Sequence, residues 1–527
     1  MSWGLFGAVG HLCDSWFNLW VTLWAVVIGM LIPLTIRGLK LRRQRMTILQ
    51  RNGIPSLEPN LLTGNMREYD SVPNVLFDSG LIRSLGSVCG YYVGAKPVIL
   101  IQDKGIIELM QTKLKKNFLD RPRRVPGGIN PCPKRKLMLG NLPVEDWQKM
   151  RKILAPAFSS HNLSAMLESI ASRVDIFMRL IHDKCSDEID FYPLFQYLAL
   201  DIIGRTAFGV DSNIQTCKND KLLEAVKAEF SKSTNGYLLR LYLCLPEFTP
   251  FLKPLREKWQ SLLNVLGKVT SSALWEEGRR AVIERRNAPV DPNRVYNDLL
   301  HHLMHSTHDL PDDSIVANTV LIFEAAYETT SSCLAFMVHL LAHNPRYQKK
   351  IRKEIRKCEK FHELNSYAGV QSLRFLEACV YEALRLYPTQ TTFIGRSAEV
   401  DIDCSVMGTK IVIPKGVHVQ AALYQIHRSD EYWKRPNKFL PKRFLGEDKD
   451  KLKTSVYQAF GHGPRECIGK GFALMVLKCI LASLLSKYKL VPSERTEKLG
   501  EISIIYKTAT MTPSKGSHAR AVRLGSA

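Results

Sequence analysis

Phe460-Gly-His-Gly-Pro-Arg-Glu-Cys-Ile-Gly-Lys-Gly-Phe-Ala-Leu-Met475 is the stretch on which the reading of this chain turns. Glycines and a proline make a tight loop ahead of Cys467, and an apolar helical run begins directly after it. Gly463 and Gly469 can take backbone shapes closed to residues with a Cβ, so the main chain can pass close to something flat. A cysteine at a helix N-terminus lies at the positive end of the helix dipole, which favours the thiolate. No second cysteine stands two to four residues away, so this is not zinc spacing. A single thiolate in a glycine-rich loop suits a soft axial ligand to haem iron.

Written Phe-x-x-Gly-x-Arg-x-Cys-x-Gly, with Phe460, Arg465 and Cys467 at its fixed positions, the segment resembles the haem-binding loop of the cytochrome P450 family. Most cysteines of an intracellular chain are simply buried packing residues, so Cys467 alone would decide nothing. Other segments match the family in order. Trp147 and Arg151 lie four apart and share a helical face, where an indole N–H and a guanidinium can reach one anion together. In the family such a pair holds a haem propionate, and Arg396 falls where a further propionate contact is expected. Ala325-Ala-Tyr-Glu-Thr-Thr330 places an acid and a hydroxyl inside an otherwise apolar helix, where a polar group needs a partner or a purpose. It resembles the oxygen-activation motif, with Ala326 in place of the usual glycine; Glu328 and Thr329 are then the expected catalytic residues. A bland alternative has Thr329 bonded back to a carbonyl and Glu328 on a wet face. Glu382-Ala-Leu-Arg385, with Arg443 of Phe439-Leu-Pro-Lys-Arg-Phe444, resembles the family's structural Glu-Arg-Arg network, and Tyr424-x-x-His-Arg-x-x-x-x-Trp433 also matches.

Bulk properties are consistent with a large globular core: 527 residues, 45% hydrophobic and 23% charged. Twelve unpatterned cysteines without a C-x-x-C argue for a reducing compartment and against a disulfide framework. The formal charge of +23, from 73 basic and 50 acidic side chains, points to an anionic membrane surface or an acidic partner. Nucleic acid is excluded, since no zinc-finger spacing, aromatic-basic sheet motif or basic tail accompanies the charge.

Trp16 to Ile36 is a nearly uncharged run, followed at once by Arg37, Lys40, Arg42, Arg43 and Arg45. Its length and flanks predict a retained transmembrane signal anchor with the body on the cytosolic side. Gly53 to Pro59 reads as a stiff linker, Tyr91 to Gln102 as a hairpin turning at Gly94, and Arg121 to Gly140 as a loop. The helix of Trp147 is expected to run through Phe158. Helical patterns then fill Asn162 to Arg286, broken by Leu243 to Pro254, an apolar proline-rich stretch that either packs on the core or touches the membrane, the reading favoured here. Pro311-Asp-Asp-Ser opens a long helix. Val400 to Gln420 alternates as a small sheet, Glu501 to Thr510 reads as a β-like tail returning toward the pocket, and Ser514 to Ala527 as frayed.

The resulting fold expectation is mainly α with a minor β region. The domains are an anchor over 1–45, a linker over 46–60, one haem domain over 61–513 and a tail over 514–527. Tyr-Glu-Thr-Thr-Ser-Ser332 and Phe472-Ala-Leu-Met475 are similar to the animal microsomal branch with drug- and steroid-like substrates. The resemblance implies haem b on Cys467, cofactor contacts from Trp147, Arg151, Arg396, Phe460 and Arg465, and monooxygenation in the endoplasmic reticulum membrane. The implied electron donor is NADPH–cytochrome P450 reductase, with cytochrome b5 as a second candidate. Lys149, Lys152, Lys442 and Lys470 flank the cysteine side as a docking surface for an acidic reductase. Two rivals stay open: an isomerase or dehydratase acting on a lipid peroxide without reductase, and a haem-thiolate ligand sensor or carrier.

Overall fold

The computed structural model describes residues 36–121, 133–217, 237–248, 273–287, 298–391, 395–446 and 455–525, with short gaps at 186, 307–308, 361–365, 406–407 and 508–509, and isolated positions elsewhere. Nearly all of the apolar run 16–36, residues 122–132 of the loop and 249–253 of the proline-rich stretch lie outside it. Among the described residues no helix is long and apolar enough to cross a membrane.

Eight helices and eleven strands position the site. The helices are α1 (Val144–Leu154), α2 (Ser160–Asp183), α3 (Phe191–Ile203), α4 (Ala273–Asn287), α5 (Leu299–Met304), α6 (Asp312–Ala342), α7 (Arg374–Leu386) and α8 (Lys470–Lys487). The strands are β1 (Val88–Val93), β2 (Lys96–Ile101), β3 (Glu188–Asp190), β4 (Arg396–Ser397), β5 (Ile402–Asp403), β6 (Val412–Ile413), β7 (His418–Ala421), β8 (Tyr488–Val491), β9 (Ile504–Lys507), β10 (Thr510–Pro513) and β11 (His518–Arg523).

Helix α6 is the axis of the molecule. Pro311 precedes it and Asp312 and Asp313 occupy its first turn, where carboxylates offset the helix dipole. Every residue from Thr330 to Ala342 is buried. A helix apolar on all sides has protein on all sides, here chiefly α3 and α4 with α7, α8 and β10. Helix α1 ends at Leu154 rather than Phe158. Pro156 has no N–H to continue an α-helix, and Ala155–Phe158 tightens into a 3₁₀ turn.

Strands β1, β2, β7 and β4 form one sheet in that order, with β2 parallel to β7 and the other pairs antiparallel. The hairpin turns at Gly94, whose φ of +61° only glycine adopts at little cost. Residues 53–59 belong to this body instead of acting as a free spacer: Ile54 is buried and Ser56 bridges to Gly90. Within the stretch 400–420, β5 and β6 pair as a two-stranded hairpin, while β7, beyond the turn at 414–416, joins the larger sheet instead of pairing with them. Strands β9 and β10 pair, and Met511 N–H bonds to Thr389 O just beyond α7.

The C-terminal end is not frayed. Strand β11 is the centre of a three-stranded sheet, between β3 and β8, with Ala519 and Ala521 fully buried. His-Ala-Arg-Ala-Val-Arg alternates with the strand period, but alanines carry too little apolar surface to announce a strand.

The Glu-Arg-Arg network forms. Arg385 donates to Glu382 through Nε (2.7 Å) and Nη2 (2.9 Å), and Arg443 Nε reaches Glu382 Oε1 at 3.3 Å. Glu382 also accepts from Leu440 N–H (2.8 Å), while Arg385 donates to the carbonyls of His427 (2.6 Å) and Lys438 (3.3 Å). Neither Glu382 nor Arg385 has any exposed side-chain surface. Removing one member of a buried pair strands the other charge, at about 3–5 kcal/mol. Glu382→Ala is therefore expected to yield mostly aggregated or haem-free protein, read by haem content and denaturant midpoint; normal values for both would show the network to be dispensable.

Candidate active site

The loop before Cys467 is built for close approach. Gly463 has φ of +77°, and a Cβ there would lie 3.1 Å from the Gln111 carbonyl oxygen. Gly469 has φ of −89°, a shape open to any residue; it serves as the N-cap of α8. Cys467 N–H donates to Phe460 O at 2.8 Å, closing the loop, and Phe460 packs half-buried on the core. The Cys467 side chain is solvent-accessible. Its surroundings are nonetheless protein, and desolvation pushes the thiol up. Gly469 N–H, Arg151 and Lys470 act against that shift, while Glu466 adds to it. The helix-terminal N–H expected from the sequence is thus present, but it does not make a thiolate by itself. A thiolate in this place needs a cation of its own, and a metal ion meets that need.

Around the loop, arginines converge. Arg465 stacks over the Trp147 ring at 3.7 Å and Arg151 lies 5.9 Å from the same ring. Arg151 Nη2 donates to Glu466 O at 2.8 Å. Arg465 Nε donates to Leu119 O at 2.9 Å, but its Nη1 and Nη2 are buried without a hydrogen-bond partner among the described residues. Arg396, held on β4, shares with Arg465 the wall of a pocket that Gln111, Leu119 and His462 also line. Burial and repulsion from Arg121 press both guanidinium groups down toward about 9, and Arg465 adds to the pressure on Arg396. Arginine does not give up its proton in proteins, so the cluster, in which Asp120 offsets part of the charge on Arg465, favours a further anion. Two carboxylates presented to this cavity would satisfy it. The sulfur and the guanidinium groups together fit a haem, with its iron on the one and its propionates on the others.

The acid–hydroxyl pair is split between two faces. Ile322, Ala325, Ala326 and Thr329 form the less buried stripe of α6, with Ala325 exposed in mid-helix, so this face borders open space. Thr329 Oγ1 donates to Ala325 O at 2.7 Å, the back-bond that the sequence left open. Glu328 is not on a wet face: it is buried and turned toward the α3 interface, where its charge bears on Tyr192 and Tyr327. Burial, and next Glu328, push the Tyr192 phenol up to about 12, while the nearby polar side chains of Ser332, Thr512 and Gln196 act against that shift.

Residues 54–517 match the cytochrome P450 family. The chain belongs to the cytochrome P450 family. It is similar to cytochrome P450 3A5 of Homo sapiens, 29% identical over 490 residues that cover 91% of this chain and 93% of that one. Cytochrome P450 3A6 of Oryctolagus cuniculus is 28% identical over 479 residues, covering 87% and 90% respectively. Cytochrome P450 3A25 of Mus musculus is 27% identical over 493 residues, covering 91% and 93%. As a P450 the chain is a haem-thiolate monooxygenase, an oxidoreductase.

Sequence reasoning passed over Arg121, which lay inside a segment read only as loop, and the part played by His427. His427 Nε2 accepts from Gln458 N–H at 3.0 Å, and its Nδ1 faces Arg385 O at 3.2 Å. The neutral ring thereby ties the Glu382 network to the segment that leads into the cysteine loop, and burial holds its pKa well below the ordinary range. If Arg465 serves an anion, Arg465→Leu should separate two stabilities. The loaded protein should release haem about tenfold faster or more, since each charge-assisted hydrogen bond is worth about 1.5–3 kcal/mol. The haem-free protein should be no less stable than the parent, because one cation leaves a self-repelling cluster. Haem transfer to apomyoglobin and denaturation of the haem-free form measure the two.

Proposed function

We propose that this P450 inserts one atom of O2 into a lipophilic steroid-, fatty-acid- or drug-like substrate at the endoplasmic reticulum membrane, the second atom leaving as water with two electrons and two protons. The observation that supports this reading best is the open stripe Ile322–Ala325–Ala326–Thr329 on a helix otherwise enclosed by protein, together with a cysteine and an arginine cluster suited to haem. Haem bound through Cys467 would supply the redox chemistry that splits O2, with electron density pushed from the thiolate. Trp147, Arg151, Arg396 and Arg465 would hold its propionates, and Phe460 would pack beside the cysteine.

Thr329 works from the stripe. With its proton committed to Ala325 O, Oγ1 offers lone pairs, so it can accept a hydrogen bond from a water or a substrate hydroxyl and keep a proton donor in place. Ala326 adds a methyl next to it and narrows the groove. Glu328 works from behind as a proton reservoir, with the phenols of Tyr192 and Tyr327 within reach of its charge. General acid–base assistance of this kind is commonly worth about 10²–10⁴ in rate.

Electrons would come from NADPH through a flavoprotein reductase, with cytochrome b5 as a second donor. Lys149, Lys152 and Lys442 are exposed for docking such a partner, whereas Lys470 is held by Glu466 at 2.8 Å. The segment 16–36 would anchor the chain. The basic residues after it already grip the body: Arg42 donates to the carbonyls of Leu61 and Cys244, and Arg42 and Arg45 both pair with Glu247.

Cys467→Ser should fold yet lose the thiolate signature in the Soret spectrum of the carbon monoxide complex, because water or a hard oxygen replaces a soft sulfur; retention of that signature with turnover would refute the ligand assignment. Thr329→Ala should bind substrate normally but convert less of the NADPH it consumes into product, with peroxide rising to match. A product-to-NADPH ratio equal to the parent's would remove the role given to Thr329. Turnover of a lipid peroxide without reductase, unaffected by the change, would favour an isomerase instead.

A further inference from the structure

The helix Asn74–Leu85 turns an acid inward among its apolar side chains. Its buried residues are Val75, Phe77, Asp78 and Leu81. It packs on β1, on the helix Met66–Ser71 and on the short helix Leu423–Ile426. Phe77 meets Tyr91 of β1 edge-on at 5.1 Å and Tyr69 at 5.4 Å. Leu81, Cys89, Leu100 and Ala422 belong to the same apolar cluster.

Glu382, Asp298 and Asp201 show what a buried carboxylate in this fold is given. Glu382 has two arginines, Asp298 has Arg285 at 3.0 Å, and Asp201 accepts from Ser212 at 2.8 Å and Gln215 at 2.7 Å. Asp78 is only 5% exposed, and its enclosed Oδ1 has no hydrogen-bond partner among the described residues. An ionised carboxylate there would be buried without compensation, so the packed helix accepts the neutral acid. Burial alone raises its pKa to about 7.

No neighbouring cation can take the place of that proton. On β1 the titratable neighbour is Cys89, whose thiol is pushed up to about 12 by burial and then by Asp78, and so stays neutral. Lys96 of β2 stands four residues before Leu100, the register partner of Cys89, which is about 13 Å along the strand. On the helix Met66–Ser71, Arg67, Glu68 and Asp70 are exposed, and Asp70 pairs with Arg240 at 3.1 Å. Arg83 on the acid's own helix is exposed too. From Leu423–Ile426 comes an uncharged clamp: Gln425 Nε2 donates to Val75 O at 2.9 Å and to Ser79 Oγ at 3.0 Å. Tyr424 beside it lies under Arg428 at 3.9 Å.

We propose that Asp78 is a pH-sensitive latch: as the neutral acid it lets the helix Asn74–Leu85 lie closed on β1, and on losing its proton it drives that helix open. The direction follows from linkage. An exposed aspartate ionises near pH 3.9, whereas the docked one keeps its proton to about pH 7. Between those values the opened form gains by releasing a proton, so opening becomes about tenfold easier for each unit of rising pH. Above the docked value both forms are ionised and the effect levels off. The latch is therefore tightest on the acid side and has lost its hold just above neutrality.

The test is amide hydrogen exchange of the haem-loaded protein, read by mass spectrometry on residues 74–85 from about pH 5.5 to 8.5, with the intrinsic pH dependence of exchange divided out. In the parent the opening constant should climb about tenfold per pH unit up to about pH 7 and then flatten. Asp78→Asn and Asp78→Leu carry no titrating group and should give level profiles. At pH 8 the parent should open at least about tenfold more readily than Asp78→Leu, which fills a similar volume without a charge. A level profile in the parent would overturn the proposal without recourse to any variant. A slope that persists in either variant would assign the titration to another group and overturn it equally.

Discussion

A single carboxylate, Glu382, governs how the cysteine loop is held. It has no exposed surface, yet it accepts from two guanidinium groups and a backbone N–H. A charge in that position is tolerable only because both carboxylate oxygens have donors. The consequence spreads outward by rigid links. Arg385 fixes the His427 carbonyl, the His427 ring fixes Gln458, and Gln458 pairs with Gln111 at 2.9 Å on the far side of the loop. Specificity of position, more than net stability, is what such a network supplies.

The cofactor region shows the opposite economy of charge. Near Glu382 each guanidinium meets an acceptor; around Arg465 and Arg396 guanidinium groups, Arg121 among them, crowd one another. The same physical rule, that buried charge must be matched, reads as a finished scaffold in one place and as a receptor for anions in the other. Lys478 gives a third case: it is fully buried in the apolar helix α8 and is met by Glu377 at 2.7 Å and Gln371 at 3.2 Å.

The sequence made those features legible whose chemistry admits few substitutes. Cys467, the Trp147–Arg151 pair and Glu382–Arg385 all stand in spacings that limit what they can touch. Arg121 was invisible because its neighbours Arg396 and Arg465 lie hundreds of residues away, and no local spacing encodes that meeting. The divergence of Glu328 and Thr329 was written in the chain: adjacent residues on a helix differ by about 100°, so one cannot share the other's face. Lys470 follows Glu466 by four residues, a spacing that already implied the ion pair. The strand at 518–523 was obscured for a different reason, since its inward residues are alanines whose burial depends on partners far away in sequence.

That strand has a consequence for how the protein is made. Strand β11 lies between β3, from the first half of the chain, and β8, and joins them into one sheet. Ile189 must wait for Ala519, some 330 residues later, before its backbone groups are paired. During synthesis the edges of β3 and β8 that β11 covers thus stand open until residues 518–523 have left the ribosome, and so non-local a pairing is intrinsically slow to form. A nascent chain interrupted anywhere before that point presents two unsealed strand edges to its neighbours.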